Sequence, residues 1–272
     1  MAGTDEFVVL PVPPAMRQVV RGATGYRVTG FQPGVHLGMP TACVTLIIDF
    51  GDGLLVGEPG AFHVPTHDIV RRGALLAGLH TRATRVHHDG WQHGIELDLD
   101  PLAAQGLFGM PVGELAQGCH TLDDVWPNAG CLRERLGATD DWMLRARILF
   151  SVLQDRVRTG PDPVPPEVAQ AWRRVIASHG QVRMEAVSRE VGWSSRRLQQ
   201  QFRTRLGITP KEAARIVRFD RARQFVAGGA ALADVAFTAG FADQPHLARD
   251  WRAVTGTSIT SWLREDQMAR GT

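Results

Sequence analysis

The sequence has few cysteines and no long apolar run, and each shortage excludes a class of protein. Among its 272 residues are three cysteines, and no C-x-x-C pair could hold a zinc ion or form a redox couple. We therefore expect Cys43, Cys119 and Cys131 to be buried free thiols. No run of 18 or more apolar residues could cross a bilayer, and Asp5 and Glu6 stand where a secretory leader would be positive. We predict a cytoplasmic protein without a membrane partner.

Signatures of catalysis are also missing. The chain has no Gly-rich phosphate loop, no G-x-S-x-G elbow and no pair of catalytic carboxylates, so we predict neither an enzyme, nor catalytic residues, nor a cofactor. The first half contains eight histidines: His36, His63, His67, His80, His87, His88, His93 and His120. A metal-binding barrel of cupin type would use H-x-H followed by a glutamate, and no H-x-H occurs. The nearest metal candidate, His87-His88 with His93 and Glu96, matches no ligand spacing, so we predict satisfied or exposed histidines and no metal site.

Charge is divided unevenly along the chain. From residue 166 onward there are 17 Lys and Arg against 10 Asp and Glu, whereas the remainder has 13 against 18. The basic C-terminal part suggests a nucleic-acid partner. Residues 159–166 hold four prolines and a glycine, which interrupt helices and sheets. We therefore predict an N-terminal domain over 1–158, a linker over 159–166 and a C-terminal domain over 167–272.

The N-terminal domain is predicted to be β-rich up to about residue 100 and helical after it. Short β-branched or alternating runs bounded by Gly, Pro and Asp predict strands, and apolar residues three and four apart predict helices. The predicted strands are Cys43–Phe50, Gly53–Val56 and Gly94–Leu99, and the predicted helices are Leu102–Leu107, Met110–Ala116 and Asp140–Val157. Asp98 and Asp100 alternate with leucines, which is typical of a strand with one wet face.

The C-terminal domain has almost no strand signal. Its apolar spacing and glycine-containing turns predict an all-α domain, so the whole chain is predicted to be α+β. The seven predicted helices are Glu167–Ser178, Met184–Val191, Ser194–Leu206, Pro210–Ala227, Leu232–Ala239, Asp243–Val254 and Ser258–Leu263.

An internal repeat runs through these helices. The segment from Met184, ending in Gly192-Trp193, is repeated from Leu232, ending in Gly240-Phe241, at an offset of 48 residues. After one extra residue the offset becomes 49, and the matched positions are Leu198, Phe202, Gly207 and Thr209 with Leu247, Trp251, Gly256 and Ser258. Each copy reads as helix, Gly-aromatic turn, helix and glycine stop. Two helix-turn-helix units are predicted, with small residues at the helix crossings, Ser188 and Ala236.

The second helix of each unit buries positions four apart and leaves a polar face free. The free faces carry Ser195, Arg196, Gln199, Gln200 and Arg203 in one copy, and Gln244, His246, Arg249 and Arg252 in the other. Such side chains can bond to base edges and phosphates. The alternative is that these are ordinary polar helix faces, and two copies in one basic domain favour DNA binding over it. A nonspecific architectural DNA binder is a further alternative.

The segment from about Val182 to Leu263 resembles the DNA-binding domain of the AraC/XylS family of transcription regulators. Its GF-x(5)-L-x-R signature is formed by Gly240, Phe241, Leu247 and Arg249. The resemblance covers about the last third of the chain. It departs from the family pattern at Ser258-Ile259, where Ser-Pro is usual, at Leu263, where a final Arg is usual, and at Trp251, where Phe is usual.

The resemblance implies a sequence-specific regulator that binds double-stranded DNA with two second helices, joined by the long helix Pro210–Ala227. These helices would enter groove segments about 34 Å apart. The implied base-reading residues are Arg196, Gln199, Gln200, Gln244, His246 and Arg249, and the implied phosphate contacts are Ser195, Arg203 and Arg252. The N-terminal domain would sense or dimerise, so a small-molecule effector and a homodimer are the other implied partners. The alternative function is a small-molecule-binding or metal-dependent β-barrel enzyme with a helical accessory domain.

Overall fold

A computed structural model describes residues 4–62, 70–127, 129–157 and 164–269. Within these ranges the strands are β1 (Thr4–Val9), β2 (Val20–Thr29), β3 (Gly34–Gly38), β4 (Val44–Asp49), β5 (Leu54–Val56), β6 (Val70–Arg72), β7 (Ala74–Ala77), β8 (Thr84–His88), β9 (Gln92–Leu99) and β10 (Cys119–Thr121). The helices of the N-terminal part are α1 (Pro101–Phe108), α2 (Leu122–Val125), α3 (Ala129–Gly137) and α4 (Trp142–Val157). The helices of the C-terminal part are α5 (Pro166–Ala177), α6 (Met184–Glu190), α7 (Ser195–Leu206), α8 (Pro210–Ala227), α9 (Leu232–Ala239), α10 (Gln244–Thr255) and α11 (Ile259–Ala269). None of the described helices is both long enough and apolar enough to cross a membrane.

The strands form two antiparallel sheets, ordered β1-β2-β9-β4-β7-β10 and β3-β8-β5-β6. Side chains alternate between the faces of a strand, so β4 turns Leu46 and Ile48 to one side and Thr45 and Ile47 to the other. Leu46 and Ile48 belong to the main core, which includes buried residues of α1 and α4. Thr45 and Ile47 face the second sheet and line a cavity. The larger sheet therefore has one side on helices and one side on a cavity.

The predicted α+β architecture is confirmed. The three predicted strands correspond to β4, β5 and β9, and the helical signals after residue 100 correspond to α1 and α4. The predicted helix Met110–Ala116 is a shorter 3₁₀ turn, Val112–Leu115. Helix α1 begins where Asp100 accepts a hydrogen bond from the Leu102 N–H at 2.9 Å, and it ends at Gly109 with a φ of 72°.

Helix α4 is anchored to the larger sheet by a buried arginine. The Arg145 guanidinium lies 4.4 Å from the ring centroids of both Phe50 and Trp142, and its Nη1 lies 2.9 Å from Nε2 of His93. Its Nε also donates to the Leu136 carbonyl at 3.0 Å. Burial, followed by the charge of Arg145, lowers the pKa of His93 to about 4, so the ring is neutral and accepts from the guanidinium. This cluster ties α4 to β9 and to the end of β4.

The cysteine prediction is correct for Cys119 and wrong for Cys131. All three thiols are free, but only Cys119 is buried, Cys43 is half-buried and Cys131 is exposed. Cys131 lies on the outer side of α3, whose buried side is formed by Ala129, Leu132 and Leu136. Burial raises the pKa of the Cys43 thiol to about 12 and that of Cys119 to about 11, which keeps both protonated.

The C-terminal part is all-α, as predicted, and its seven helices match the predicted ones to within two residues except that α11 continues to Ala269. Helix α8 begins with a capping box, in which Thr209 and Glu212 bond reciprocally to each other's backbone N–H, and with Pro210 at its first position. One buried cluster extends from the larger sheet through α4 into α5, α6 and α7. A second cluster surrounds Trp251.

The predicted linker 159–166 lies mostly outside the described residues, since 158–163 are not described. Helix α5 begins at Pro166, at the end of that stretch. The domain boundaries therefore stay a prediction. His63 and His67 also lie outside the described residues.

Candidate nucleic-acid interface

The first helix-turn-helix unit consists of α6 and α7. At their crossing Ser188 is 5% exposed, and the turn passes through Gly192 with a φ of 72°. The Trp193 N–H donates to the Ser188 carbonyl at 3.1 Å, which satisfies one of the last carbonyls of α6. Trp193 itself is half-buried, with the Arg197 guanidinium 4.5 Å from its ring centroid. The tryptophan is thus covered by an arginine rather than buried completely in the core.

The second unit, α9 and α10, repeats this geometry. Ala236 is 1% exposed at the crossing, Gly240 has a φ of 81°, and the Phe241 N–H donates to the Ala236 carbonyl at 2.8 Å. Phe241 is buried, unlike Trp193. In both units the aromatic N–H bonds to the carbonyl five residues earlier, so the repeat in the sequence is also a repeat of backbone conformation.

The second helices α7 and α10 have matching lengths and ends. Ser194 accepts a hydrogen bond from the Arg197 N–H at 3.3 Å, and Asp243 accepts one from the His246 N–H at 2.6 Å. Each helix has 12 residues and stops at a left-handed glycine, Gly207 or Gly256, with a φ of 73°. The buried sides carry Leu198, Phe202 and Leu206 in α7 and Leu247, Trp251 and Val254 in α10.

The opposite sides carry the residues predicted to contact DNA. Arg196, Gln199, Gln200 and Arg203 are exposed and line one shallow groove together with Thr204. On α10, Gln244, Arg249 and Arg252 are exposed as well. Within the described part of the chain, none of these seven side chains has a hydrogen bond or an ion pair. Their donors are therefore available to a ligand at no cost to the fold.

Two predicted contact residues have additional roles. Ser195 is exposed at the start of α7, and its Oγ lies 3.3 Å from that of Ser188. His246 is half-buried: its ring packs edge-on against Phe241, and its Nδ1 lies 3.2 Å from the Ala242 N–H. Because Nδ1 accepts that bond, the neutral ring carries its proton on Nε2. His246 therefore offers a single donor to a partner.

The two units are held together by contacts that the sequence did not predict. Arg215 of α8 forms an ion pair with Asp250 of α10 at 2.7 Å. Arg218, also on α8, donates to the Gly180 carbonyl at 2.8 Å, and burial lowers the pKa of its guanidinium. Gln181 reaches the Thr238 carbonyl of the second unit at 3.4 Å. These contacts tie α10 to α8, and tie α8 and the second unit to the turn that precedes α6.

The N-terminal part touches the C-terminal ends of both second helices. The 3₁₀ turn Val112–Leu115 packs on α7, and a Cβ on Gly207 would lie 2.8 Å from the Gly113 carbonyl oxygen. At the end of α10, the Ala83 N–H donates to the Val254 carbonyl at 2.8 Å. A Cβ on Gly256 would lie 2.7 Å from the Phe62 ring. The exposed polar faces of α7 and α10 are free of these contacts.

A second site is a pair of adjoining cavities, of about 240 and 280 Å³, between the two sheets. Both are lined by His36, Leu37, Ile47, Val86, Glu96 and Trp262. The first cavity also touches Phe7, Tyr26 and Phe31, and the second also touches Arg223. Because Trp262 lies on α11 and Arg223 on α8, the cavity walls come from both parts of the chain.

The wet face predicted from Asp98 and Asp100 is wrong at Asp100, which is buried, whereas Asp98 is half-buried and Glu96 on the same side is exposed. The Glu96 side chain is exposed to the cavity, and desolvation by the nearby protein, followed by the charge of Asp98, raises its pKa to about 7. Asp98 also lies near Asp220 and Arg223 of α8. Asp100 is buried, caps α1 and pairs with Arg21. The polar side of β9 therefore faces the cavity and the C-terminal part.

The four residues considered as the nearest metal candidate, His87, His88, His93 and Glu96, do not come together in the structure. His93 and Glu96 lie on opposite faces of β9, one against α4 and the other in the cavity. The His88 ring stacks on His36 at 5.8 Å, away from His93. Over the described ranges, no group of three or more metal-ligating side chains comes together.

Comparison with known proteins agrees with this geometry. Residues 187–265 match a family described as a helix-turn-helix domain. No curated protein matches the chain. The structure of ToxT from Vibrio cholerae is similar over 92% of this chain and 98% of ToxT, with 10% identity and a TM-score of 0.54. ToxT with a bound unsaturated fatty acid is similar over 100% and 97%, with 10% identity and a TM-score of 0.50.

A probable AraC family transcriptional regulator from Rhodopseudomonas palustris matches 37% of this chain and 97% of its own, with 26% identity and a TM-score of 0.33. The likeness to ToxT concerns the fold, a β-rich domain followed by a helical one. The family match and the doubled motif concern the C-terminal domain. That domain is an AraC-type double helix-turn-helix domain, and the chain is a DNA-binding transcription regulator.

Proposed function

We propose that α7 and α10 read the sequence of duplex DNA through the exposed faces described above. The base-reading residues are Arg196, Gln199 and Gln200 on α7 and Gln244, His246 and Arg249 on α10. The observation that carries the proposal is that two helices of equal length, each ending at a left-handed glycine, both expose arginine and glutamine side chains that have no partner within the described chain. Arginine suits guanine and glutamine suits adenine in the major groove.

Phosphate contacts are proposed for Ser195, Arg203 and Arg252. Ser195 stands at the N-terminus of α7, where free backbone N–H groups favour an anion. Arg203 and Arg252 lie in the last turns of their helices. Contacts to the backbone position the protein without specifying sequence.

The test begins with genomic fragments that the full chain retains, which supply a cognate site. On that site, Arg249→Ala is expected to weaken binding by ~1–3 kcal/mol and to flatten the preference at one base pair, because a bidentate base contact is lost. Arg252→Ala is expected to weaken binding equally on all sequences and to reduce the salt slope by ~1.

Arg17→Ala is the matched control. Arg17 is exposed on the N-terminal part, so this variant removes the same charge from outside the DNA-binding domain. It is expected to bind as the wild type does. The proposal fails if Arg249→Ala keeps full affinity and preference, or if the full chain binds all duplexes with equal affinity, which would indicate an architectural DNA binder.

We further propose that the cavity between the sheets holds a small-molecule effector. The support is that its wall includes Trp262 of α11 and Arg223 of α8, so an occupant would contact the DNA-binding domain directly. A bound unsaturated fatty acid in a ToxT structure of the same fold is consistent with a ligand-responsive regulator. The homodimer and the cytoplasmic location implied by the sequence stay predictions. The alternative of a β-barrel enzyme gains no support from the described residues.

A further inference from the structure

The first cavity has one carboxylate in an apolar and aromatic surrounding. Among the described residues that line it, Glu96 is the only Asp, Glu, Lys or Arg. Two histidines also line it, and burial lowers the pKa of both, that of His36 to about 4. Both rings are therefore neutral near pH 7, where Glu96, with its pKa raised to about 7, is partly ionised and is the one described lining group that carries charge.

Glu96 has no partner of its own within the described chain, since no side chain or backbone group there bonds to its carboxylate. Arg223 is the nearby cation, but its Nε and Nη2 donate to Asp220 at 3.1 and 2.7 Å. Asp98 adds a further negative charge beside Glu96. Glu96 is exposed to the cavity without a bonded cation, so a ligand that brings a positive charge would supply the partner that the described chain does not.

The rest of the cavity wall is suited to bind the apolar part of a ligand that also carries a positive charge. Four aromatic side chains border the cavity: Phe7, Tyr26, Phe31 and Trp262. The faces of aromatic rings attract cations, most strongly where water is excluded. Aliphatic residues such as Ile47 and Val86 complete the wall.

We propose that this cavity binds a small apolar molecule with one protonated amine, whose ammonium group bonds to Glu96 and whose body packs among the aromatic side chains. The proposal rests on the proposed effector role of the cavity and names the class of effector. It differs from the fatty acid bound in ToxT, because a ligand carboxylate would be placed next to Glu96 and Asp98 and would be repelled by both.

The test uses three probes of similar size on the full chain: 2-phenylethylamine, 2-phenylethanol and 3-phenylpropanoate. Binding is measured by titration calorimetry and by the fluorescence of the tryptophans, one of which, Trp262, lines the cavity. The amine is expected to bind most tightly and the carboxylate most weakly. Glu96→Gln is expected to weaken the amine by ~10- to 100-fold, the range for a bond to a charged group, and to leave the alcohol unchanged.

Asp98→Asn is the matched control, because it neutralises the next acid on the same side of β9 without changing the residues that line the first cavity. It is expected to retain amine binding. Preference of the wild type for the carboxylate, absence of amine binding, or equal loss in both variants overturns the proposal. The wild-type preference among the probes decides the matter even if Glu96→Gln does not fold. A gel shift on the cognate DNA, without any probe, tests the DNA-reading function separately.

Discussion

The contact between the N-terminal part and the end of α7 can be tested by adding a single methyl group. Gly207 and Gly192 have nearly the same backbone conformation, with φ of 73° and 72°. A Cβ on Gly192 would meet nothing within 4 Å. A Cβ on Gly207 would overlap that of Ala116 and lie 2.8 Å from the Gly113 oxygen. The two glycines therefore differ in their surroundings and not in their strain.

Gly192→Ala is expected to cost ~1–2 kcal/mol of unfolding free energy, which is the cost of placing an L-residue in the left-handed region. Gly207→Ala adds the cost of overpacking, ~1–3 kcal/mol, and is expected to lose ~2–5 kcal/mol in total. Equilibrium urea unfolding of the full chain measures both. Adding Ala116→Gly to Gly207→Ala is expected to recover part of the extra loss, because the overlapping methyl group is removed. Equal losses in Gly192→Ala and Gly207→Ala would refute the proposed contact.

Two further predictions concern stability. The pKa of His93 is about 4 in the folded chain and 6.5 in the unfolded chain, so between these pH values the unfolded state binds more protons. The wild type is therefore expected to lose unfolding free energy relative to His93→Gln as the pH falls from 6.5 to 4. Urea unfolding of both proteins measures this difference. The raised pKa of Glu96 acts in the opposite direction but is common to both proteins, and a constant difference across that range would contradict the assignment. Asp243→Ala is expected to lose ~1 kcal/mol of unfolding free energy, measured by thermal unfolding, because α10 loses its N-cap. Asp243→Ser is expected to keep most of that stability, since serine also caps helices. Equal stability of the wild type and both variants would show that the cap contributes nothing.

The C-terminal domain was predictable because its signals are local. Thr209 and Glu212, three residues apart, form the capping box that starts α8, and Gly207 and Gly256 end the helices that precede them. Each of these signals depends on neighbours within one or two turns of helix. The polar faces of α7 and α10 follow directly once the helices are placed.

The N-terminal strands were mostly missed because their pairing is not local. Strand β7, with the sequence ALLA, is buried along its whole length, and such a short apolar run does not distinguish strand from helix. Strand β2 contains glycines and charged residues, since only some of its positions are buried. Alternation correctly predicted a polar side for β9, but only the position of the second sheet shows that Glu96 faces a cavity.

The hydrogen bond of His246 to the backbone could not be predicted from the sequence, because it too depends on the three-dimensional arrangement of the chain. Its Nδ1 accepts from Ala242, a bond set by the conformation of the turn after Gly240. Spacing places the ring on the reading face, but it does not tell which nitrogen is free. The packing of Arg197 on the Trp193 ring likewise depends on the conformation of the arginine side chain, which the sequence does not specify.

The contacts from α8 and Gln181 that tie the two helix-turn-helix units together restrict the DNA that the protein can occupy. A pair of units on a flexible tether would accept sub-sites at many separations, whereas units tied together as these are would, in the proposed function, favour one. Lengthening the stretch between two sub-sites by half a helical turn, about five base pairs, places the second sub-site on the far side of the duplex. If α7 and α10 read DNA as proposed, the protein responds to the distance between two sub-sites as well as to their base sequence.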